Sequence, residues 1–125
     1  MALPIIYFDI GGNASNSGSR DSASPIVTGT AATVVGSVVT LDGSPDLSTV
    51  LADGSDTIYI NDATNSNQKI FKITAVDDAL NTVTVSVAPT GVVSSAWRIG
   101  GQAIYNSANI EGAVAAGWIL QFNNT

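Results

Sequence analysis

The sequence contains no histidine and no cysteine, and only four of its 125 residues are lysine or arginine. Histidine is the most frequent general base of enzymes and cysteine a frequent nucleophile, so most catalytic schemes lack their central residue here. These residues are also the usual ligands of zinc, and without cysteine no disulfide can form. The composition therefore predicts a protein that is not an enzyme, with no catalytic, cofactor-binding or metal-binding residues and no cofactor.

Charge is scarce as well, since charged residues make up 11% of the chain and the formal net charge is −6. Nucleic-acid binding needs a basic surface that displaces counterions, and the four cations are scattered at Arg20, Lys69, Lys72 and Arg98. We therefore expect no direct contact with nucleic acid. A surface of Ser, Thr, Asn and Gly costs less to bury against a partner than a charged one, which favours permanent assembly.

Long apolar runs are missing too, and none approaches the roughly 20 residues of a membrane span, so no membrane partner is expected. The N-terminal run of Leu3, Ile5, Ile6, Tyr7 and Phe8 is short, lacks a preceding basic region and meets Asp9, unlike a signal peptide. It has no periodic polar face, which implies burial on both sides. We predict these five residues as a candidate interface with another copy or a partner protein.

Residues 11–24 read GGNASNSGSRDSAS, a polar, glycine-rich segment that cannot hold a fold by itself. It is either a linker or a long surface loop. The interpretation with a linker divides the chain into an N-terminal arm and linker at residues 1–24 and a β-domain at residues 25–125.

The β-domain is rich in Val, Ile and Thr, and its clearest element is a hairpin at residues 69–87. Apolar residues alternate with polar ones on both sides of a turn at residues 77–81. The side chains predicted to point inward are Phe71, Ile73, Ala75, Val83, Val85 and Val87.

Shorter alternating segments predict strands at residues 37–41, 57–61, 95–99 and 118–122. Residues 107–116 place Ala108, Ile110, Ala113 and Val114 at helical spacing, with Ser107 and Gly117 as cap residues. We predict an all-β fold, a small antiparallel β-sandwich or barrel with an extended N-terminal arm and one short C-terminal helix.

Two further residue classes have alternative roles. Aspartates pair in predicted turns at positions 42 and 46, 53 and 56, and 77 and 78, where they bond the backbone or, alternatively, bind Ca²⁺ weakly. Carboxylate pairs also serve glycosidases, which keeps a carbohydrate-cleaving module as an alternative. The aromatic residues fill a core or interface, or form a platform for sugars: Trp97, Trp118, Tyr7, Tyr59 and Tyr105.

The succession LDGSPDLSTV, DTIYIND, KIFKITAVDDALNTVTVSVAPTG and AWRIGG, at residues 41–101, resembles small β modules of structural proteins from tailed bacteriophages. The resemblance covers about half of the chain and rests on the order of strands and turns. Such modules occur in capsid decoration (cement) proteins and in the head-binding parts of fibres and tailspikes. The C-terminal stretch IEGAVAAGWILQFNNT is similar to the segment that leads into tailspike β-helices.

The resemblance implies a structural protein of the virion, made in the host cytoplasm and placed on the capsid surface. A decoration protein would bridge neighbouring major capsid proteins, and its usual three-fold position implies a homotrimer. The alternatives are an adaptor or head-binding module of a tail fibre and a carbohydrate-binding module.

Overall fold

The computed structural model describes residues 3–65, 68–104 and 107–123 of the chain. These residues form eight strands and one helix: β1 (Ile5–Asp9), β2 (Val27–Val35), β3 (Val38–Thr40), β4 (Thr57–Ile60), β5 (Ile70–Asp77), β6 (Thr82–Val85), β7 (Ser95–Ile99), α1 (Ser107–Ala115) and β8 (Ile119–Asn123).

Six of the strands close into an antiparallel barrel with the order β2-β3-β6-β5-β4-β7. Closure pairs every strand on both edges and leaves none open to another chain. The barrel interior is filled by alternate, inward-pointing side chains, among them Val39, Ile58, Ile60, Phe71, Ile73, Val83, Val85, Trp97 and Ile99. The expectation of an all-β fold is confirmed, and of the two predicted forms the chain adopts the barrel.

The predicted hairpin is confirmed as β5 and β6, with Ile73 opposite Val85 and Val76 opposite Val83. Phe71, Ile73, Val83 and Val85 are buried as expected. The prediction was wrong for two residues. A register shift between Ile73 and Ala75 turns Ala75 outward, and Val87 lies beyond the end of β6 with 45% of its surface exposed.

A second register shift lies in β2, between Gly29 and Ala32. It leaves two backbone N–H groups without a ladder partner, and the carboxylate of Asp42 accepts both, from Thr30 at 3.2 Å and from Ala31 at 3.0 Å. The buried indole of Trp97 donates from Nε1 to the same carboxylate at 2.7 Å. A Cβ at Gly29 would clash with this indole and with the carboxylate of Asp42, so only glycine fits there.

These donors stabilise the ionised form of Asp42. The hydrogen bond from Trp97 contributes most, followed by the one from Ala31, and together they hold the pKa of Asp42 well below its ordinary value. A turn residue thus accepts the backbone N–H groups that the register shift in β2 leaves without a strand partner.

A second layer covers one side of the barrel. Strand β1 pairs in parallel with β8, and α1 packs beside them. Their buried residues Ile6, Phe8 and Ala113 join Tyr59 and Ile70, which point outward from β4 and β5, in a second core. We call β1, β8 and α1 the outer layer. All four residues of β4 are buried. Ile58 and Ile60 lie in the barrel core, Tyr59 lies in the second core, and Thr57 bonds to the carbonyl of Ser17.

The position of β1 corrects part of the predicted interface. Ile6 and Phe8 are fully buried within their own chain, so the expectation that they contact a partner was wrong. Ile6 and Phe8 point into the second core, whereas Ile5 and Tyr7 lie on the other face of β1. Leu3 is half exposed, Ile5 and Tyr7 are partly buried, and for these three residues the interface stays a prediction.

Residues 11–24 form a packed loop, the second of the two interpretations, and not a linker. Ser17 is buried, with its Oγ accepting from the N–H of Gly100 at 2.7 Å and its carbonyl accepting from Thr57 Oγ1 at 3.1 Å. Arg20 forms an ion pair at 2.7 Å with Asp56, a carboxylate that is 1% exposed. Polar contacts in place of apolar ones hold the loop to the barrel.

The C-terminal helix is confirmed, and it ends at a glycine cap. Gly117 has φ of 75°, and the N–H groups of Gly117 and Trp118 donate to the carbonyls of Val114 and Ala113, which is the Schellman arrangement. Ala113 is buried as predicted and Ile110 is partly buried, but Val114 is exposed. The side chains of Ser107 and Ala108 lie outside the described part of the structure.

Candidate docking surface and polar groove

A surface of mixed apolar and polar side chains lies where the start of β1, the end of α1 and the hairpin meet. Its residues line a shallow groove of about 290 Å³, and we call them the terminal surface: Leu3, Val87, Ala115, Ala116 and Trp118, with Gln68, Lys72 and Ser86 at the margin. Lys72 is the one charged residue in this lining. Exposed apolar groups that cluster in this way are typical of interaction sites.

Local structure explains why these residues come together. The carbonyl of Pro4 accepts from the N–H of Ile119 at 3.1 Å, which brings Leu3 beside the residues that follow the helix. The glycine cap turns the chain directly into β8, so Ala115, Ala116 and Trp118 lie at the same end. Ile119, the first residue of β8, is half exposed.

Of the five residues predicted as an interface, only Leu3 lies in the terminal surface. Sequence reasoning missed Val87, because its alternation with Val85 indicated an inward side chain. Trp118 was predicted in a strand, with a role in a core, an interface or a sugar platform, but it lies directly before β8. The signal in the sequence is the apolar stretch from Ala113 to Leu120, which holds more apolar residues than one short helix and strand can bury.

A polar groove of about 270 Å³ lies on the outer face of β2, β7 and β4. Its centre is a row of three side chains, Thr28, Arg98 and Tyr59, which the strand registers place directly opposite one another. Ala96 leaves space in the next row, beside Asn61. The rigid barrel strands therefore fix the positions of these groups.

Arg98 is held from behind by the loop of residues 11–24. Its Nη1 donates to Oδ1 of Asn16 at 3.1 Å, and Nδ2 of Asn16 donates to the carbonyl of Gln102 at 3.0 Å. Asn16 is fully buried, so its amide is a fixed anchor for the guanidinium. Sequence reasoning did not pair these residues.

The aspartate pairs divide into two groups. Asp46, Asp53 and Asp77 accept from backbone N–H groups two or three residues along, the predicted turn role. Asp42, Asp56 and Asp78 instead bond distant segments of the chain, and for these three the predicted local turn bond is not the main role. Within residues 3–65, 68–104 and 107–123, no three acidic side chains converge on a point where a metal ion could bind.

Most described aromatic residues serve the cores. Trp97 and Tyr59 are buried, in the barrel core and the second core respectively. Tyr7 and Trp118 are partly buried, and Phe122 stacks on Phe8 with ring centroids 5.3 Å apart. Core packing, one of the two predicted roles, is confirmed for Trp97 and Tyr59. Tyr105 lies outside the described residues.

The chain matches no family model, no curated protein and no solved structure. None of the helical residues described here forms a segment with the length and hydropathy that a bilayer crossing requires.

Proposed function

We propose that this chain is a structural protein of a tailed-bacteriophage particle, a decoration protein that binds the capsid surface and bridges neighbouring major capsid proteins. The observation that carries the proposal is the terminal surface, where the apolar side chains of Leu3 and Val87, each about half exposed, meet in one groove of a charge-poor chain. The assignment to a phage particle rests on the sequence resemblance to phage structural modules.

The physical mechanism is the burial of apolar area. Each Å² of apolar surface removed from water stabilises a contact by about 25 cal/mol, so a modest patch repeated over many copies would reinforce a shell. The barrel suits this role because its strands have no open edge that would pair with other chains. The polar, weakly charged surface around the patch costs little to desolvate.

Substitutions on the terminal surface test the mechanism. We expect Leu3→Ser and Val87→Thr, combined in one variant, to abolish rebinding to particles that lack the protein, as measured by cosedimentation. These side chains are exposed, so the variant should keep its melting temperature within a few degrees. The matched control is Val35→Thr with Val93→Thr, two more exposed valines outside the terminal surface. Equal rebinding of the wild type and the double variant would refute the proposed surface.

Copy number tests the place in the particle. Quantitative mass spectrometry of purified particles should find hundreds of copies, as expected for a protein repeated over the symmetric shell. Roughly a dozen copies would favour the fibre adaptor instead. Absence from purified particles would overturn the assignment to the virion.

A further inference from the structure

The two arginines of the chain differ in how their donors are used. Arg20 donates from Nε and Nη2 to the two oxygens of Asp56, at 2.8 and 2.7 Å, and from Nη2 to the carbonyl of Thr49. Arg98 makes one hydrogen bond within the described part of the chain, from Nη1 to Asn16. A guanidinium has five N–H donors, so most of those on Arg98 have no described protein acceptor.

No carboxylate of the described residues forms an ion pair with Arg98. Among the described residues, the one ion pair within 4.0 Å is that of Arg20 with Asp56. Arg98 nevertheless lies in a chain with ten carboxylate side chains and a net charge of −6. Its side chain is only partly exposed and lines the polar groove.

The guanidinium is held in place before any ligand arrives. Asn16 is fully buried, and its amide is bonded at both ends, to Arg98 and to Gln102. Fixing a long side chain in advance removes part of the entropy cost of binding. Thr28 lies opposite Arg98 in the strand register, and Ser15 lines the same groove, so two hydroxyl groups stand near the guanidinium.

We infer that the polar groove binds a carboxylate group, with the guanidinium of Arg98 as the principal donor and the hydroxyls of Thr28 and Ser15 beside it. A planar carboxylate accepts two parallel N–H bonds from guanidinium, the arrangement that Asp56 already makes with Arg20. The carboxylate belongs to a small organic acid or to an acidic side chain of a polypeptide, and both present the same chemistry. This site is separate from the terminal surface and does not depend on the proposed function.

Nuclear magnetic resonance titration of the whole chain tests the inference with matched probes. The carboxylates are acetate, glucuronate and a blocked Gly-Asp-Gly peptide, and their neutral counterparts are acetamide, glucose and a blocked Gly-Asn-Gly peptide. We expect saturable shifts from the carboxylates at the amides of Thr28, Tyr59 and Arg98 and at the Nε–H of Arg98. The neutral probes should give none at equal concentration. Tighter binding of glucuronate or of the aspartyl peptide than of acetate identifies the source of the carboxylate. Equal responses to carboxylates and neutral probes would overturn the inference.

Variants separate a specific site from general attraction of anions. Arg98→Gln should weaken carboxylate binding at least about tenfold, and Arg98→Lys should restore part of it because the charge remains and the planar fork is lost. Lys72→Gln removes the same charge outside the groove and should leave binding unchanged. Equal losses in Arg98→Gln and Lys72→Gln would refute a built site. Should Arg98→Gln fail to fold, Thr28→Val removes a neighbouring hydroxyl without changing charge, and unchanged affinity in that variant together with an unshifted Nε–H would also refute the inference.

Discussion

The barrel and the outer layer bury their apolar residues by different means. The barrel core is enclosed by six strands that pair on both edges, and its side chains come from nearly every strand. The outer layer consists of two parallel strands and a nine-residue helix, and its core depends on Tyr59 and Ile70 from the barrel wall. A two-stranded sheet is marginal by itself, so the layer needs the barrel, whereas the barrel encloses its own core.

This difference also places the candidate sites. The polar groove lies on the rigid barrel, and the terminal surface lies where the outer layer meets the hairpin. Regions with fewer buried contacts open at lower free energy than core strands, so the terminal surface belongs to the more adaptable part of the molecule. Four experiments test how independently the barrel and the outer layer are stabilised.

The largest effect is expected in the barrel core. Val85→Asp places a charge opposite Ile73 in a fully apolar interior and should cost several kcal/mol, enough to unfold a domain of ordinary stability. Circular dichroism and thermal unfolding measure this. Val87→Asp is the matched control, two residues along and half exposed, and should remain folded. A cooperative, unshifted transition for Val85→Asp would contradict the assignment of the barrel interior.

Two phenylalanines compare the cores directly. Phe71 in the barrel and Phe8 in the outer layer are both fully buried, and each change to alanine should cost about 3–5 kcal/mol within its own core. We expect Phe71→Ala to lower hydrogen-exchange protection throughout the barrel. Phe8→Ala should lower it in β1 and β8 while the barrel amides stay protected. Uniform loss in both variants would mean that the layers form a single cooperative unit.

The brace at the β2 bulge should have a smaller effect. Asp42→Ala removes the acceptor of the backbone N–H groups of Thr30 and Ala31 and of the indole N–H of Trp97. The free energy of unfolding should fall by about 2 kcal/mol near neutral pH. Urea unfolding followed by tryptophan fluorescence measures the loss.

The same variant should change the response to pH. The pKa of Asp42 is depressed in the folded state, so its stabilisation is present above the unfolded value of about 4 and is lost as the pH falls below it. The difference in the free energy of unfolding between the wild type and Asp42→Ala should therefore become smaller as the pH is lowered. If this difference stays constant from neutral to strongly acidic pH, the role of the ionised carboxylate is contradicted.

The smallest effect concerns the loop at residues 11–24. Arg20→Gln removes the ion pair to Asp56, but Arg20 is 31% exposed and the N–H of Leu51 still donates to that carboxylate, so we expect a loss of about 1 kcal/mol. Hydrogen exchange should increase mainly in the loop. Increased exchange across the barrel instead would show that the loop supports the barrel itself.

The sequence alone determined the features that depend on neighbouring residues. Alternation in β5 and β6 predicted the hairpin, because side chains in a strand point to opposite faces in turn. Gly117 predicted the end of α1, because glycine adopts the left-handed conformation of a helix C-terminal cap without steric strain. The turn aspartates Asp46 and Asp53 bond N–H groups two residues away, within reach of any local analysis.

Tertiary structure alone decided the features that join distant residues. The burial of Ile6 and Phe8 depends on the pairing of β1 with β8, more than a hundred residues later in the chain. The anchor of Arg98 is Asn16, 82 residues away, and no local pattern connects an amide in a polar loop to a strand arginine. Tyr59 points away from the barrel interior and is nevertheless buried, because the outer layer covers it. Each of these contacts depends on how the strands close and pack, which residues throughout the chain determine together.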